Sequence, residues 1–317
     1  MIKKEYDFVG NRKKWFTFSA CLIVLGILLT IILGVTLDIQ FTGGALIKYS
    51  YTGDIDKAAI SQIIKDATGR DAKIELSTAA SVIEGDEGKR FTVSFSAPGK
   101  KDKEIDETTT EAIIKALNEK YPDSNIERLT TNIVEPTMGH EFLVKCIVAV
   151  ALAAFFMILY VAIRFRKIGG WSAGVMAVIA ILHDLAIVFL VFVICRFRID
   201  NNFVAVVLSI IGYSINSTIV VFDRIRENRK IMGPKATTAE LVNRSINQTL
   251  GRTINSSLTT LIAVASIVVI AIIFDISSII TFAVPLMFGI ISGAYSSAFI
   301  SGPLWVAWKE YIAKKKA

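Results

Sequence analysis

The chain has 317 residues, of which 53% are hydrophobic, with a mean hydropathy of +0.55 and a formal net charge of +7 at pH 7. This composition excludes an ordinary soluble globular protein and predicts a membrane protein with several helical spans. Lys and Arg concentrate beside the apolar runs, so the positive charge indicates membrane topology and argues against a nucleic-acid partner.

Six long apolar runs reach the length of about 20 residues that a membrane-crossing helix needs. They are Trp15 to Leu37, Phe142 to Ile163, Gly170 to Cys195, Asn201 to Phe222, Ile254 to Phe274 and Ile279 to Pro303. The first run is longer and more apolar than the core of a cleaved signal peptide, so we expect a retained helix. In the last run, Pro285 and Gly289 predict a kink and close helix packing.

The distribution of basic residues predicts which loops face the cytoplasm. Five Lys and Arg precede the first span, three lie at 164–167, seven at 224–252 and four after Trp308. The short loops on the opposite side carry Arg196 and Arg198, and the segment around Asp275 carries none. By the positive-inside rule, both termini are cytoplasmic and the segment after the first span lies outside a plasma membrane of bacterial or archaeal type.

Four regions follow from this topology. They are residues 1–37, with the cytoplasmic N-terminus and the first span; 38–140, an extracytoplasmic domain; 141–308, with spans two to six; and 309–317, a basic cytoplasmic tail. The domain at 38–140 has 13 basic and 18 acidic residues, as expected of a soluble domain. Cys21, Cys146 and Cys195 all lie within or at the ends of spans, so this domain contains no disulfide.

Periodicity predicts an α+β fold for the domain at 38–140. Alternating apolar residues predict strands at 45–51, 72–78, 91–95 and 126–134, with a turn at Gly85 to Gly88. Helical spacing of Ile55, Ala59, Ile63 and Ala67 predicts one helix, and 102–120 predicts another. The order strand, helix, strand, strand, helix, strand is typical of a ferredoxin-like domain. No catalytic constellation or metal-ligand spacing is visible in it.

His183 and Asp184 lie near the middle of the third span, where an Asp costs about 3 kcal/mol by insertion scales. We therefore expect Asp184 to be protonated, to have a partner, or to face a wet cavity. Two interpretations remain open: a hydrogen bond between helices, or a proton relay. The chain has two histidines, which argues against a metal site. His183 and Asp184 are consecutive and therefore point about 100° apart around the helix, which argues against a catalytic pair of nucleophile and base.

Further polar groups lie in the fourth span and before the fifth. Asn216 and Ser217 interrupt the apolar run of the fourth span and predict either a bond between helices or a transport role. Residues 238–255 form a basic amphipathic segment, and Leu241 to Asn255 predict a helix at the membrane interface. Arg252 and Asn255 lie close enough to the fifth span to reach a neighbouring polar site.

Four ordered motifs resemble the SecF family, the smaller half of the SecDF protein-export factor. They are Phe41-Thr42-Gly43-Gly44 after the first span, Ala180 to Asp184, Ile211 to Asn228 (with Gly212, Asp223 and Arg224) and Arg252 to Thr260. The resemblance covers essentially the whole chain. It implies the resistance-nodulation-division superfamily, a SecD-like partner, the Sec translocation channel, unfolded preprotein as cargo, and use of a proton or sodium gradient.

One position departs from the family pattern. Many SecF proteins have Asn-Asp-Thr or Asn-Asp-Ser in the fourth span, whereas this chain has Asn216-Ser217-Thr218. Serine carries no charge at physiological pH, so the ion-coupling role that the resemblance implies is not transferred to Ser217. Asp223 lies at the cytoplasmic end of the span among arginines, where we expect a surface ion pair.

The functional prediction is an export auxiliary that is not an enzyme and has no cofactor. A half-size exporter of lipid or small molecules from the same superfamily is the alternative, and a purely structural subunit is a third. The domain at 38–140 is small for a substrate funnel, and a second external segment is missing, which favours the first prediction over the second.

Overall fold

A computed structural model of the protein describes residues 6–78, 89–96, 105–134, 136–233, 235–274 and 276–316. The predicted turn at Gly85 to Gly88, Asp275, and the first residues of the helix predicted at 102–120 lie outside these ranges. In chain order the elements are α1 (Arg12–Leu33), α2 (Ile39–Thr42), β1 (Gly44–Ser50), α3 (Lys57–Thr68), β2 (Lys73–Thr78), β3 (Lys89–Ser96), α4 (Glu107–Lys120), β4 (Glu127–Val134), α5 (Pro136–Arg164), α6 (Gly170–Ile194), α7 (Asn201–Met232), α8 (Thr238–Ile273), α9 (Ser277–Ser296) and α10 (Gly302–Lys316).

Among the described residues, six helical segments are long and apolar enough to cross a membrane, and five of them begin within a few residues of the predicted spans. The chain divides into two compact units. The membrane unit comprises Met1–Thr36, Val148–Val269 and Ser278–Ala317; the sheet unit comprises Leu37–Ile147 and Ile270–Ser277.

The sheet unit contains a four-stranded antiparallel sheet in the order β2-β3-β1-β4. Its elements follow the order that periodicity predicted. Alternation in β1 and β3 places one face of each strand in the core, where the side chains of Ile47, Tyr49, Phe91, Val93 and Phe95 are fully buried. The pairing of β1 with β4 shifts register between Lys48 and Tyr49, which marks a bulge.

The two sheet-unit helices begin at aspartate caps. Asp56 accepts from the backbone N–H groups of Ala58 and Ala59, and Asp106 accepts from the backbone N–H and the hydroxyl of Thr109. The two hydrogen bonds from Thr109, with a further one from the Thr108 hydroxyl, lower the pKa of Asp106 to about 2.

The buried face of α3 differs from the predicted one. Ile60 and Ile64 are fully buried, whereas Ile55, Ala59 and Ile63 are only partly buried and Ala67 is exposed. The predicted spacing was correct for a helix but was displaced by one residue. The larger side chains of Ile60 and Ile64 fill the core better than the two alanines do, and they determine which stripe of the helix faces the sheet.

The Phe41 to Gly44 motif forms a tight join between α2 and β1. Gly43 and Gly44 have φ values of 76° and 137°, a region that favours glycine. Gly139, near the start of α5, approaches so closely that a Cβ atom there would lie 2.9 Å from the backbone nitrogen of Gly43 and 3.0 Å from the carbonyl of Phe41. The ring of Phe41 lies 5.5 Å from that of Phe142. The motif thus anchors the first strand against α5.

In the membrane unit, the polar segment before the fifth span differs from the prediction. Leu241 to Asn255 is not a separate interfacial helix but the first part of the continuous helix α8. Three of its polar residues bond within the chain: Asn243 and Asn247 hold the backbone of Val9 and Tyr6, and Ser245 accepts from buried Asn228 on α7. Because these contacts occupy the polar face and no proline or other strong helix breaker follows, the helix continues into the apolar run.

The last predicted span also differs. The span predicted at Ile279 to Pro303 is divided between α9 and α10; Pro285 lies inside α9, and the kink expected there stays a prediction. The departure from α-helical geometry is a π-helical turn at Ser297–Ser301, between α9 and α10. Pro303 cannot donate a backbone hydrogen bond into the preceding turn, which accounts for the position of the irregularity.

We predict that Gly139→Ala destabilises the protein by about 1 to 3 kcal/mol, because the added methyl group meets backbone atoms that cannot rotate away. Gly251→Ala in α8 is the matched control, since a Cβ atom there has no neighbour within 4 Å. Thermal unfolding of both variants in the same detergent is the measurement. Equal melting temperatures for Gly139→Ala and the parent protein would contradict the close approach.

Candidate functional site

The most buried ionisable group in the described spans is Asp184, in the middle of α6. Its side chain is 0% exposed. Glycines in α9 allow α9 to approach both α6 and α7. A Cβ atom at Gly289 would lie within 2.9 Å of Val188, and one at Gly293 would lie 3.4 Å from the side chain of Ser214. The close packing predicted for this helix is therefore present, and it brings serines of two other helices to Asp184.

Four polar groups contact the Asp184 carboxylate. Ser214 on α7 and Ser296 on α9 donate to Oδ2 at 2.6 and 2.7 Å, and Ser292 on α9 donates to Oδ1 at 2.6 Å. The Nδ1 atom of His183 lies 3.2 Å from Oδ1. We call Asp184, His183, Ser214, Ser292 and Ser296 the carboxylate cluster.

Both oxygens of the Asp184 carboxylate are occupied by hydrogen bonds in the carboxylate cluster. The hydroxyl to carboxylate distances of 2.6 to 2.7 Å lie within the normal range for O–H···O hydrogen bonds. Even at about 0.6 kcal/mol per bond, a value averaged between membrane helices, three such bonds offset about 2 of the ~3 kcal/mol that a central Asp costs. The carboxylate therefore joins α6, α7 and α9, which favours the predicted bond between helices.

One polar atom of the carboxylate cluster has no hydrogen-bond partner among the described residues. His183 is 6% exposed, and its Nε2 atom is buried without a hydrogen-bond partner. Its ring centroid lies 5.9 Å from that of Tyr295, whose hydroxyl bonds to the Trp15 carbonyl and lies 3.1 Å from the Ser19 hydroxyl. The imidazole thus contacts Asp184 through Nδ1 while its other ring nitrogen is unpartnered, so the geometry keeps the relay interpretation open.

The polar pair predicted in the fourth span lies outside the carboxylate cluster. Asn216 is exposed and Ser217 is half-buried, and neither bonds to Asp184. Ser214 and Thr218, one helical turn apart, face the interior instead and are fully buried. The hydroxyl of Thr218 has no hydrogen-bond partner.

The predicted residues of α8 are also separate from the carboxylate cluster. Arg252 and Asn255 are both exposed, and within the described part of the chain neither has a hydrogen bond or an ion pair. In this region α7 and α8 are joined by Tyr213 on α7, whose hydroxyl donates to Ser257 on α8 at 3.0 Å.

The charged end of the α7 motif forms ion pairs. Asp223 contacts Arg164 at 3.1 Å and Arg226 at 2.7 Å, so the ion pair predicted for it is present. Arg224 donates to Gln248 and Glu227, both at 2.6 Å. These contacts hold α7 to the start of α8 and to the end of α5. Gly212, from the same motif, is exposed, with open space where a Cβ atom would lie.

Sequence reasoning missed Ser214, Ser292 and Ser296. A signal was present in α9, where Ser292 and Ser296 are four residues apart and so share one face of the helix. Serine is common in spans, so the spacing acquires meaning only through the contact with Asp184.

Comparison with known proteins places the chain in one family. The family model described as "Protein export membrane protein SecD/SecF, C-terminal" matches residues 113–311. The protein translocase subunit SecF of Alicyclobacillus acidocaldarius is 34% identical over 317 residues, covering 99% of this chain and 96% of the relative. The protein translocase subunit SecDF of Bacillus subtilis is 34% identical over 315 residues, covering 98% of this chain.

A solved structure agrees with these sequence relatives. The crystal structure of SecDF from Thermus thermophilus, described as a translocon-associated membrane protein, has 28% sequence identity and a TM-score of 0.77, covering 98% of this chain. The chain spans 39% of the length of that protein and 39% of the Bacillus subtilis relative. Full-length agreement with the separate SecF subunits, together with the family match, shows that the chain belongs to the SecF family of protein translocase subunits.

Proposed function

We propose that this chain is a protein-export auxiliary that works with a SecD-like partner and uses a proton or sodium gradient to promote late preprotein translocation through the Sec channel. The names of its relatives support a role in protein translocation, and the longer SecDF relatives support the choice of partner. The role has no catalytic step and needs no cofactor. The alternative, a half-size exporter of lipid or small molecules, would not need a Sec channel.

The observation that carries the proposal is a set of exposed polar side chains on α7 and α8. Asn216 lies fifteen residues into α7, about 22 Å along the helix and thus inside a hydrocarbon core of about 30 Å. Arg252 lies about 32 Å from the end of α8 at Ile273, which places it near the border of the hydrocarbon core opposite to that end. Asn255 lies one turn further into the core. Exposed polar groups at such depths are costly in lipid, so we infer that another protein covers them.

The topology proposed for the chain rests on charge and on the fold of the sheet unit. Positive loops indicate cytoplasmic termini, so residues 38–140 lie on the outer side. The order β2-β3-β1-β4, with two helices, supports a ferredoxin-like assignment for this domain. We infer that it acts on emerging preprotein by transient contact, since within its described residues no group of acidic, His or Cys side chains is arranged to hold a metal ion.

We assign gradient coupling to the partner. Ser217 has no charge for a membrane potential to move, and Asp184 already has three hydroxyl donors and an imidazole contact. Use of Asp184 in a coupling cycle would require these hydrogen bonds to break and form again. A carboxylate on the SecD-like partner, facing Asn216 on α7, would not depend on breaking them.

The first prediction tests the covered face. Asn216→Leu should weaken association with the SecD-like partner by about threefold, and by no more than about twentyfold, because hydrogen bonds between membrane helices contribute about 0.6 kcal/mol on average and up to about 1.7. Asn216→Ser is the matched control, since its hydroxyl keeps a hydrogen-bonding group at the same position. Partner retention after purification in mild detergent, measured against titrated partner, is the readout.

Unchanged retention in Asn216→Leu would show that this position faces lipid or solvent in the assembly. Recovery of an outer-membrane duct or a periplasmic adaptor with the parent protein, in place of Sec channel subunits, would support the exporter alternative.

The second prediction tests coupling within the chain. Ser217→Ala should leave gradient-dependent export nearly intact, because no charge is removed. Asp184→Asn should lower it by less than about tenfold, because Asn keeps the shape, its amide oxygen can accept from two of the serine hydroxyls, and its NH2 group can donate to the third. Preprotein translocation into inverted vesicles, with and without an uncoupler, measures the gradient-dependent component.

The control for this prediction is the amount of assembled complex in each vesicle preparation. Complete loss of the uncoupler-sensitive component in Asp184→Asn, with normal assembly, would place the coupling site in the carboxylate cluster and contradict the assignment to the partner.

A further inference from the structure

A polar cavity of about 300 Å³ lies at one end of the membrane unit, away from the carboxylate cluster. Its walls come from the turn between α5 and α6, the last third of α7, the start of α8, and α10. Gly169, Arg229, Thr238, Trp305 and Lys309 are among its lining residues. The volume is at the lower limit of small-molecule pockets and is sufficient for one polar head group.

The cavity has two cationic side chains and no carboxylate in its lining. The Lys309 ammonium lies 5.5 Å from the centroid of the Trp305 ring, and a Cβ atom at position 169 would lie 2.7 Å from it. Gly169, with φ of 98°, therefore leaves the space that the ammonium occupies. The Arg229 guanidinium bonds to the carbonyl of Ala236 and keeps its other donors available.

The wall of the cavity is held in place by hydrogen bonds. Trp305 is 3% exposed, and its ring nitrogen donates to the Ser172 hydroxyl at 2.9 Å. Ser172 in turn donates to the carbonyl of Gly169 at 2.8 Å. The aromatic wall and the glycine thus have fixed relative positions, as a binding site requires.

Two carboxylates that adjoin lining residues in the sequence are engaged elsewhere. Glu310 pairs with Arg12 at 2.7 Å, and Glu240 accepts from the backbone of Thr237 at the start of α8. Neither Lys309 nor Arg229 has an ion pair with a described acidic residue. The cavity therefore carries uncompensated positive charge and would attract an anion.

Exposed aromatic side chains show at what depth the cavity lies. Trp171 and Trp308 are 67% and 42% exposed, and Tyr311 is 61% exposed. They belong to α6 and α10, the helices that contribute Ser172 and Lys309. Amphipathic aromatic residues concentrate at the level of the lipid head groups, so the cavity lies at that level. Basic pockets between helices on the cytoplasmic side bind anionic lipid head groups.

We propose that this cavity binds the phosphate group of an anionic phospholipid, with Lys309 and Arg229 as its cationic ligands and Trp305 as its wall. The site is independent of the export function proposed above, because it uses none of the residues assigned to partner contact or coupling. A lipid held there would fasten the α5–α6 turn, α7, α8 and α10 together at the membrane surface.

Thermal stability of the full-length protein in neutral detergent, titrated with phosphatidylglycerol, tests the proposal. The lipid should raise the melting temperature of the parent protein in a saturable manner, and phosphatidylcholine should not. Lys309→Gln and Arg229→Gln should each raise the lipid fraction that gives half-saturation by about fivefold, because a basic residue near an anionic lipid contributes about that factor in affinity.

Matched controls separate a site from general charge. Lys230→Gln and Lys315→Gln remove the same charge from exposed positions outside the cavity and should leave the titration unchanged. Lys309→Arg keeps the charge and should retain binding, which distinguishes lost binding from misfolding. Equal weakening in the control variants, or none in the cavity variants, would overturn the proposal.

Inorganic phosphate provides the arm that distinguishes the source of the anion. At matched phosphate concentration it should give less than about a tenth of the lipid's effect, because a lipid also buries its acyl chains beside the helices. Equal stabilisation by inorganic phosphate would assign the cavity to a soluble phosphate compound and overturn the lipid assignment.

Discussion

The arrangement of the membrane unit depends on one buried carboxyl group. Asp184 receives three serine hydroxyls from two other helices, and no water or lipid can replace these donors in a fully buried position. A helix pair in lipid has no hydrophobic driving force to hold it together, so close packing and polar bonds decide which helices stay in contact. The glycines at 289 and 293 supply the close packing, and Asp184 supplies the bonds. Each would be less effective without the other.

The sequence predicts the parts of the fold that leave a periodic trace. Alternation along β1 and β3 was sufficient to identify the buried face of the sheet, because side chains in a strand point alternately to its two sides. Long apolar runs identified the six spans, because a helix that crosses a bilayer needs about 20 mainly apolar residues. The extent of α8 could not be predicted in this way, because hydropathy reports where a helix enters lipid and gives no information on where hydrogen bonding of its backbone begins.

The candidate site was predictable only in part. Asp184 is conspicuous because a carboxylate in an apolar run is rare, whereas the serines that bind it are common in spans. In α7, Asn216 and Ser217 were the polar candidates predicted from the sequence, whereas Ser214 is the residue that bonds to the Asp184 carboxylate. A rotation of about 100° per residue decides which of these neighbours faces the interior, and that rotation is fixed by contacts with α6 and α9 that a single sequence does not encode locally.

The polar residues within the spans fall into two groups with different consequences. Those around Asp184 are buried and almost all paired, so they fix the arrangement of helices. Asn216, Arg252 and Asn255 are exposed and have no partner among the described residues, so they are satisfied only when another molecule adds its own polar groups. A moving part must exchange one set of hydrogen bonds for another at low cost, which a saturated cluster cannot do. On the function proposed above, change during a working cycle is therefore expected first at the exposed group, where a partner would supply the bonds, while the hydrogen bonds of the carboxylate cluster keep α6, α7 and α9 in contact.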